Sequence, residues 1–222
     1  MALLTALQHG DSFFPSGGVA FSQGVETLHG EGRLPDGEEV GRLLREQVLG
    51  RWAECDRAVI TAAHRAGDDL EAVTAADRAL EAATLPRELR EGSRRAGAAF
   101  LGVHCQLETR NAQAYQERVG RRTAPGHLAA CQGLLWRGAG LSEAEAAAVA
   151  AHALCVGVLG AAIRLGAIGA VGGQRLLTAI QPALAEMLAQ PPPPIEALAS
   201  YAPVVELAVL RHEQLDSRLF AN

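Results

Sequence analysis

Ser142-Glu143-Ala144-Glu145, running into Ala146-Ala147-Ala148-Val149-Ala150-Ala151-His152-Ala153-Leu154-Cys155-Val156-Gly157-Val158-Leu159-Gly160-Ala161-Ala162-Ile163, is the stretch that decides the fold. Its first four residues spell a capping box: the serine hydroxyl accepts from the amide three residues on, and that residue's glutamate reaches back to the serine N–H. A helix therefore starts here. No formally charged residue occurs from Ala146 to Ile163, which brings the helix to the minimum length of a membrane span. The run is mostly alanine and glycine with a histidine inside, and neither a second such segment nor an aromatic belt accompanies it. It reads as a fully buried central helix. Small residues at Ala153, Gly157 and Ala161 would let another helix approach along one face, inside the chain or across a homodimer.

Outward from this helix, the chain reads as helical almost everywhere. Aromatics make up only 4% of the residues, and no segment sustains the period-2 alternation of a strand. A short helix is predicted from about Phe21 to His29, stopped by Gly30 and Gly32. A long amphipathic segment starts near Asp36, with Val40, Leu43, Leu44, Val48, Trp52, Val59 and Ile60 close to helical spacing, and ends at Gly67. Asp68 or Asp69 caps the next helix, which buries Leu70, Val73 and Leu80 before Thr84. A helix opening around Pro86 is expected to reach Val119, and His127 to Arg137 forms another. After the glycines between Gly166 and Gly173 an amphipathic helix runs to Ala189, where Pro191-Pro192-Pro193-Pro194 stops it. A last helix through Val204, Val205, Leu207, Ala208 and Leu210 leads into the C-terminal segment.

The expectation is an all-α fold: one helical bundle spanning 1–222, of roughly eight to ten helices and no sheet. A chain of 222 residues with 49% hydrophobic content can bury about 70% of its unfolded surface around one core, and no long polar linker divides it.

Composition excludes several chemistries. All 20 basic residues are arginine, so the chain has neither a Schiff-base lysine nor a Walker lysine. A net charge of −5 argues against nucleic acid as the main ligand. The pairs Arg94-Arg95 and Arg121-Arg122 read as solvated helix faces. Cys55, Cys105, Cys131 and Cys155 lie far apart and form no close-spaced framework. Met1 to Thr5 lack the basic and apolar regions of a signal peptide, so a cytoplasmic protein with reduced thiols is expected, with no membrane partner.

Catalytic and metal motifs are weak. Ala20-Phe21-Ser22-Gln23-Gly24 has nucleophile-elbow spacing around Ser22, but Asp11 to Gly18 is not the strand an elbow needs, so Ser22 reads as a helix-start hydroxyl. The glycines from Gly166 to Gly173, like Gly17-Gly18, fit tight helix packing better than an anion nest. His127 with Cys131 and His152 with Cys155 have spacings that can share a helix face, yet two ligands do not make a zinc site. Asp68-Asp69 and Glu143/Glu145 sit at helix starts, where negative charge complements the macrodipole. No catalytic residue and no metal ligand is assigned.

The last dozen residues, Arg211-His212-Glu213-Gln214-Leu215-Asp216-Ser217-Arg218-Leu219-Phe220-Ala221-Asn222, carry polar groups and large apolar side chains to the end. A frayed terminus has little reason to keep them, so this segment is expected to dock onto something.

Four segments resemble one family. They are Leu3-Leu4 with Pro15-Ser16-Gly17-Gly18-Val19-Ala20-Phe21-Ser22-Gln23-Gly24-Val25-Glu26; Thr84-Leu85-Pro86-Arg87-Glu88-Leu89-Arg90-Glu91-Gly92-Ser93; Ala162-Ile163-Arg164-Leu165-Gly166 with Gly173-Gln174-Arg175; and Arg211-His212-Glu213 with Ser217-Arg218-Leu219-Phe220. In order and spacing they resemble the urease accessory protein F family (UreF), across essentially the whole chain. Val19 and Phe21 stand where that family usually carries the aromatic pair of Gly-Gly-Phe-x-Tyr-Ser.

The resemblance implies an all-α, non-catalytic scaffold for nickel delivery to apo-urease. It implies binding of the accessory protein UreD (UreH) on one face and of the GTPase UreG on another, and a homodimer. No cofactor would be held permanently: nickel is handled by the complex and GTP by the partner GTPase. Arg211, His212, Glu213, Ser217, Arg218, Leu219 and Phe220 become the leading interface with UreD, since arginine anchors interfaces and Phe220 can fill an apolar pocket. Pro15, Gly17, Gly18, Phe21, Ser22, Gln23 and Glu26 form the second candidate surface, where glycines permit close approach of another backbone.

Overall fold

The computed structural model describes residues 2–200, 202–212 and 218–220, with Val19 as backbone only. Among these the chain forms α1 (Ala2–Gly10), α2 (Val25–Gly30), α3 (Gly37–Glu46), α4 (Arg57–Ala66), α5 (Leu70–Ala83), α6 (Arg87–Gln106), α7 (Ala112–Gly120), α8 (Leu128–Gly138), α9 (Glu143–Arg164), α10 (Ala170–Ala189) and α11 (Pro203–His212). No strand occurs among the described residues. A π-helical segment, Gln47–Asp56, joins α3 to α4 without a break. The three are continuous, leaving ten separate helices among the described residues, besides the short 3-10 turns Gly18–Ala20 and Ile195–Ala197.

Local chemistry sets most boundaries. Asp36 accepts from Glu38 N at 2.9 Å and Glu39 N at 3.1 Å to start α3, and Asp69 does the same for α5 through Glu71 N and Ala72 N. The capping box of α9 forms: Glu145 N donates to Ser142 Oγ at 3.3 Å, and Ser142 N donates to Glu145 Oε2 at 2.8 Å. Within the π segment, Gln47, Val48, Trp52, Ala53 and Cys55 are buried. The first four recur at four to five residues, a spacing that suits a wider turn than 3.6 residues.

The core centres on α8, held between α4 and α6, with α9 packed across α4 and α8. Trp136, Phe100, Leu134, Leu135, Ile60 and Tyr115 are fully buried there. Helices α4 and α8 cross closely at Gly133, where a Cβ would run into the Ile60 carbonyl oxygen and lie 2.9 Å from Ala63 Cβ.

Several sequence expectations are corrected. The first short helix begins at Val25 rather than Phe21, because Gln23 (φ 52°) and Gly24 (φ 85°) are both left-handed and break the helical path. Ser22 is therefore not the helix-start hydroxyl; Gly24 occupies the N-cap. The helix expected to run from Pro86 to Val119 is two helices, α6 and α7, separated where Glu108 (φ 54°) and Asn111 (φ 67°) turn left-handed.

Helix α9 is long and apolar enough to cross a membrane by length and composition, and 56% of its apolar window is buried inside the protein. It is not fully buried: Ala148, His152 and Ile163 are exposed. Gly157 faces open space, so the expected face through Ala153, Gly157 and Ala161 carries no close helix contact there. Of the glycines from Gly166 to Gly173, only Gly173 is tightly packed, against Ile163; Gly166 (φ 77°) ends α9. Gly17 (φ 73°) does lie close to α6: a Cβ there would be 3.1 Å from Ala99 Cβ.

Candidate docking site at the joined chain ends

Both candidate segments meet at one carboxylate. Glu26, in the first turn of α2, accepts from His212 Nε2 at 2.9 Å, from Leu219 N at 2.5 Å and from Phe220 N at 3.2 Å. Glu26 is only 8% exposed and His212 not at all, so these are desolvated, charge-assisted contacts. On its other side, His212 Nδ1 lies 3.2 Å from Glu88 Oε2 on α6, close enough for attraction but without hydrogen-bond alignment. Glu88 also faces Arg218 at 3.9 Å. Arg211 reaches Glu31 at 2.8 Å and 3.0 Å.

Gly24 explains why α11 can come so near α2. It sits at positive φ, and a Cβ there would be 3.3 Å from both Ala208 Cβ and the Val205 carbonyl oxygen. The Phe220 ring is buried within the chain's own fold, with the Arg164 guanidinium 4.2 Å from its centroid. What the cluster presents outward is apolar: Leu207, Leu210 and Leu219 are exposed, and the first two, three apart on α11, share a side.

The candidate residues therefore divide. His212, Arg218, Leu219, Phe220 and Glu26 come together, with Arg211 beside them on Glu31. Phe21 is buried under the Arg95 guanidinium, 5.3 Å from the ring centroid; Ser22 is fully buried. The Gln23 carbonyl accepts from Gln47 Nε2 at 3.1 Å. Pro15 and Gly17 are exposed and Gly18 half-buried, on the loop beside α6. Glu213 and Ser217 lie outside the described residues. Sequence reasoning missed Glu31, Glu88 and Arg164 as contributors. Glu88 and Arg164 lie within the quoted family-like segments, which was the available signal, whereas Glu31 carried none.

A second buried network frames the segment Thr84 to Arg94. Asp77, fully buried, accepts from Tyr115 Oη at 2.7 Å, Gly126 N at 2.6 Å and His127 N at 3.0 Å. Burial pushes its carboxyl above the ordinary range, opposed by the nearby His127 and by these hydrogen bonds. Glu81 takes His127 Nε2 at 2.6 Å and Arg94 at 3.2 Å. Arg95 is exposed and Arg94 half-exposed, so the pair does lie on a solvated helix face, with Arg94 paired to Glu81 and Arg95 over the Phe21 ring.

These contacts also bear on the paired His/Cys residues. His127 is committed to Glu81, and Cys131 is fully buried with its thiol pushed well above the ordinary range by desolvation. His152 is exposed while Cys155 is buried, so that pair does not face one side. Among the described residues no three His, Cys, Asp or Glu side chains are grouped to hold a metal ion.

Comparison with known proteins bears on the whole chain. A family model described as UreF matches residues 34–181. A protein of Trichodesmium erythraeum named urease accessory protein UreF is 30% identical, covering 99% of this chain and 96% of its own. A namesake from Cereibacter sphaeroides is 32% identical over 99% of this chain and 98% of its own, and one from Kocuria rhizophila is 29% identical over 99% and 97%.

Proposed function

The chain belongs to the UreF family of urease accessory proteins, and from that membership we propose that it is a non-catalytic scaffold for GTP-dependent nickel insertion into apo-urease. In this reading it binds UreD (UreH) through the face built by α2, α11 and residues 218–220, and the GTPase UreG on another face. It works as a homodimer in the cytoplasm, modulating hydrolysis on UreG. Nickel is cargo of the complex, and the nucleotide belongs to UreG. The absence of lysine from the sequence accords with that division, since a P-loop needs one.

One observation carries the proposal: Glu26 gathers His212, Leu219 and Phe220 onto α2. The polar groups expected to bind a partner are instead largely spent inside the chain. They hold the segment in place, so that Leu207, Leu210 and Leu219 form a preorganised apolar face. Preorganisation lowers the ordering cost of association, and exposed leucines beside Arg211 and Arg218 suit a protein interface with an apolar centre and a charged rim.

The test is co-purification with UreD and UreG, comparing the full chain with a version ending at Leu210. Retention of UreD by the full chain and its loss on truncation is the expected result. Equal retention would remove the docking face, and no binding of either partner by the full chain would remove the scaffold reading. A metal-chaperone alternative through His127/Cys131 or His152/Cys155 would instead require tight stoichiometric nickel binding by the isolated chain, which equilibrium dialysis measures.

A further inference from the structure

Five of the described histidines are buried: His9, His64, His104, His127 and His212. Three of them meet an oxygen acceptor. His127 faces Glu81 at 2.6 Å, His212 lies between Glu26 and Glu88 at 2.9 Å and 3.2 Å, and His64 Nε2 is 2.9 Å from the Leu141 carbonyl oxygen. His9 and His104 differ, because each faces the other. Their rings stack with centroids 5.1 Å apart and planes 17° from parallel, enclosed by Phe14, Phe100 and Trp136. Among the described residues no ion pair joins either ring to a carboxylate.

Of the described residues of α1, His9 alone is buried. Leu3, Leu4 and Leu7 are exposed, and Ala2 and Ala6 are only partly buried, so the imidazole is the main anchor of this helix. The groups around the pair supply no counter-charge. His104 Nδ1 is held by Thr109 Oγ1 at 2.8 Å, and the His9 ring by the Thr5 backbone. Asp11, in the turn after α1, is exposed, and its Oδ1 accepts from Phe13 N at 2.7 Å. On α9 the neighbour of Gly10 is His152, a further imidazole rather than an anion, and on α6 Cys105 is half-buried. Arg51 and Asp56, across the cavity that His9 lines, pair with each other at 2.9 Å. A proton on both rings therefore sets like charges against one another in a desolvated place.

We propose that the His9–His104 stack is an acid-released latch: protonation of the pair frees α1 and the turn through Phe14 from α6 and α9 while the rest of the bundle stays folded. Histidine is the side chain suited to such a switch. Burial and the neighbouring His9 push His104 down to about 4, and burial lowers His9. Groups lowered in this way hold the closed form above about pH 6.5 and lose that hold as pH falls toward 4. For His104 alone, at about 4 when closed and the ordinary 6.5 once uncovered, opening rises about 20-fold from pH 7 to pH 5. His9 adds to this. The inference does not rest on the docking face and needs no partner to test.

Hydrogen exchange of the full chain, read by mass spectrometry at pH 7 and pH 5 and corrected for the effect of pH on free amides, tests the latch. Residues 3–14 should lose protection about 20-fold or more at pH 5, and there they should exchange at least tenfold faster than α8. The double variant His9→Phe/His104→Phe keeps two rings and takes up no proton, so its protection over residues 3–14 should change less than threefold between the two pH values. The wild-type comparison stands whether or not that variant folds. The proposal is overturned by a wild-type change below threefold, by residues 3–14 and α8 exchanging at one common rate at pH 5, or by the full response persisting in the double variant.

Discussion

Replacing Glu26 with glutamine should release residues 218–220 without unfolding the protein. Glu26 Oε1 accepts from Leu219 N, and Oε2 accepts from His212 Nε2 and Phe220 N. A glutamine retains one oxygen, and its NH2 must then face at least one of these N–H groups, donor against donor. Hydrogen bonds to a charged group are worth about 1.5–3 kcal/mol each. Losing the charge from all three contacts and one or two bonds outright should cost about 2 kcal/mol locally. That corresponds to roughly 30-fold more opening of the segment. Amide hydrogen exchange resolved to Leu219 and Phe220 reads it directly: both should exchange about 30-fold faster, while amides of α4 and α8, the core, are unchanged. Exchange at Leu219 and Phe220 within threefold of the wild type would refute the argument that Glu26 holds the segment.

Other consequences follow from packing and titration. Gly133→Ala drives a Cβ into the Ile60 carbonyl of the adjacent helix; overpacking of about 1–3 kcal/mol should lower the melting temperature by roughly 3–10 °C, and an unchanged melting curve would contradict the α4–α8 crossing. His104, pushed down to about 4 by burial and by His9, and His9, lowered by burial, are neutral in the fold. The unfolded chain therefore binds more protons between about pH 6.5 and 4, and stability is full above 6.5 and falls as pH drops through that window. Denaturant titrations at pH 7 and 5 should show the loss, and His104→Gln should lessen it; a flat profile would count against neutral burial. Cys55, pushed up to about 12, Cys155, to about 11, and Cys131 are buried, whereas Cys105 is half-buried. A thiol reagent on the native protein should modify Cys105 first and the others only on unfolding, a sequence that peptide mapping checks.

What could be read in advance follows from how local each signal is. The capping box at Ser142, the caps at Asp36 and Asp69, and the proline run after Ala189 act within a few residues, and the structure places helix ends at each. The break between α6 and α7 was illegible because it depends on Glu108 and Asn111 adopting positive φ, which no composition rule demands of a glutamate. The π segment escaped notice for a similar reason: its buried positions differ from helical spacing by only one residue. At the candidate docking site, the segments were legible and their relation was not. Glu26 and Phe220 are 194 positions apart and meet because Gly24 lets α11 approach, a long-range contact that a single sequence does not encode visibly. The same applies to Glu31, whose partner Arg211 is 180 positions away.

The central claim, that the face carrying Leu219 is what a partner recognises, is tested most directly by the affinity of the full chain for UreD with Leu219→Glu. Leu219 is 66% exposed, so the substitution should leave the melting temperature unchanged. A charge in the apolar centre of an interface should cost at least 2 kcal/mol, about a 30-fold weaker Kd. An affinity within twofold of the wild type, with the fold intact, would contradict the account.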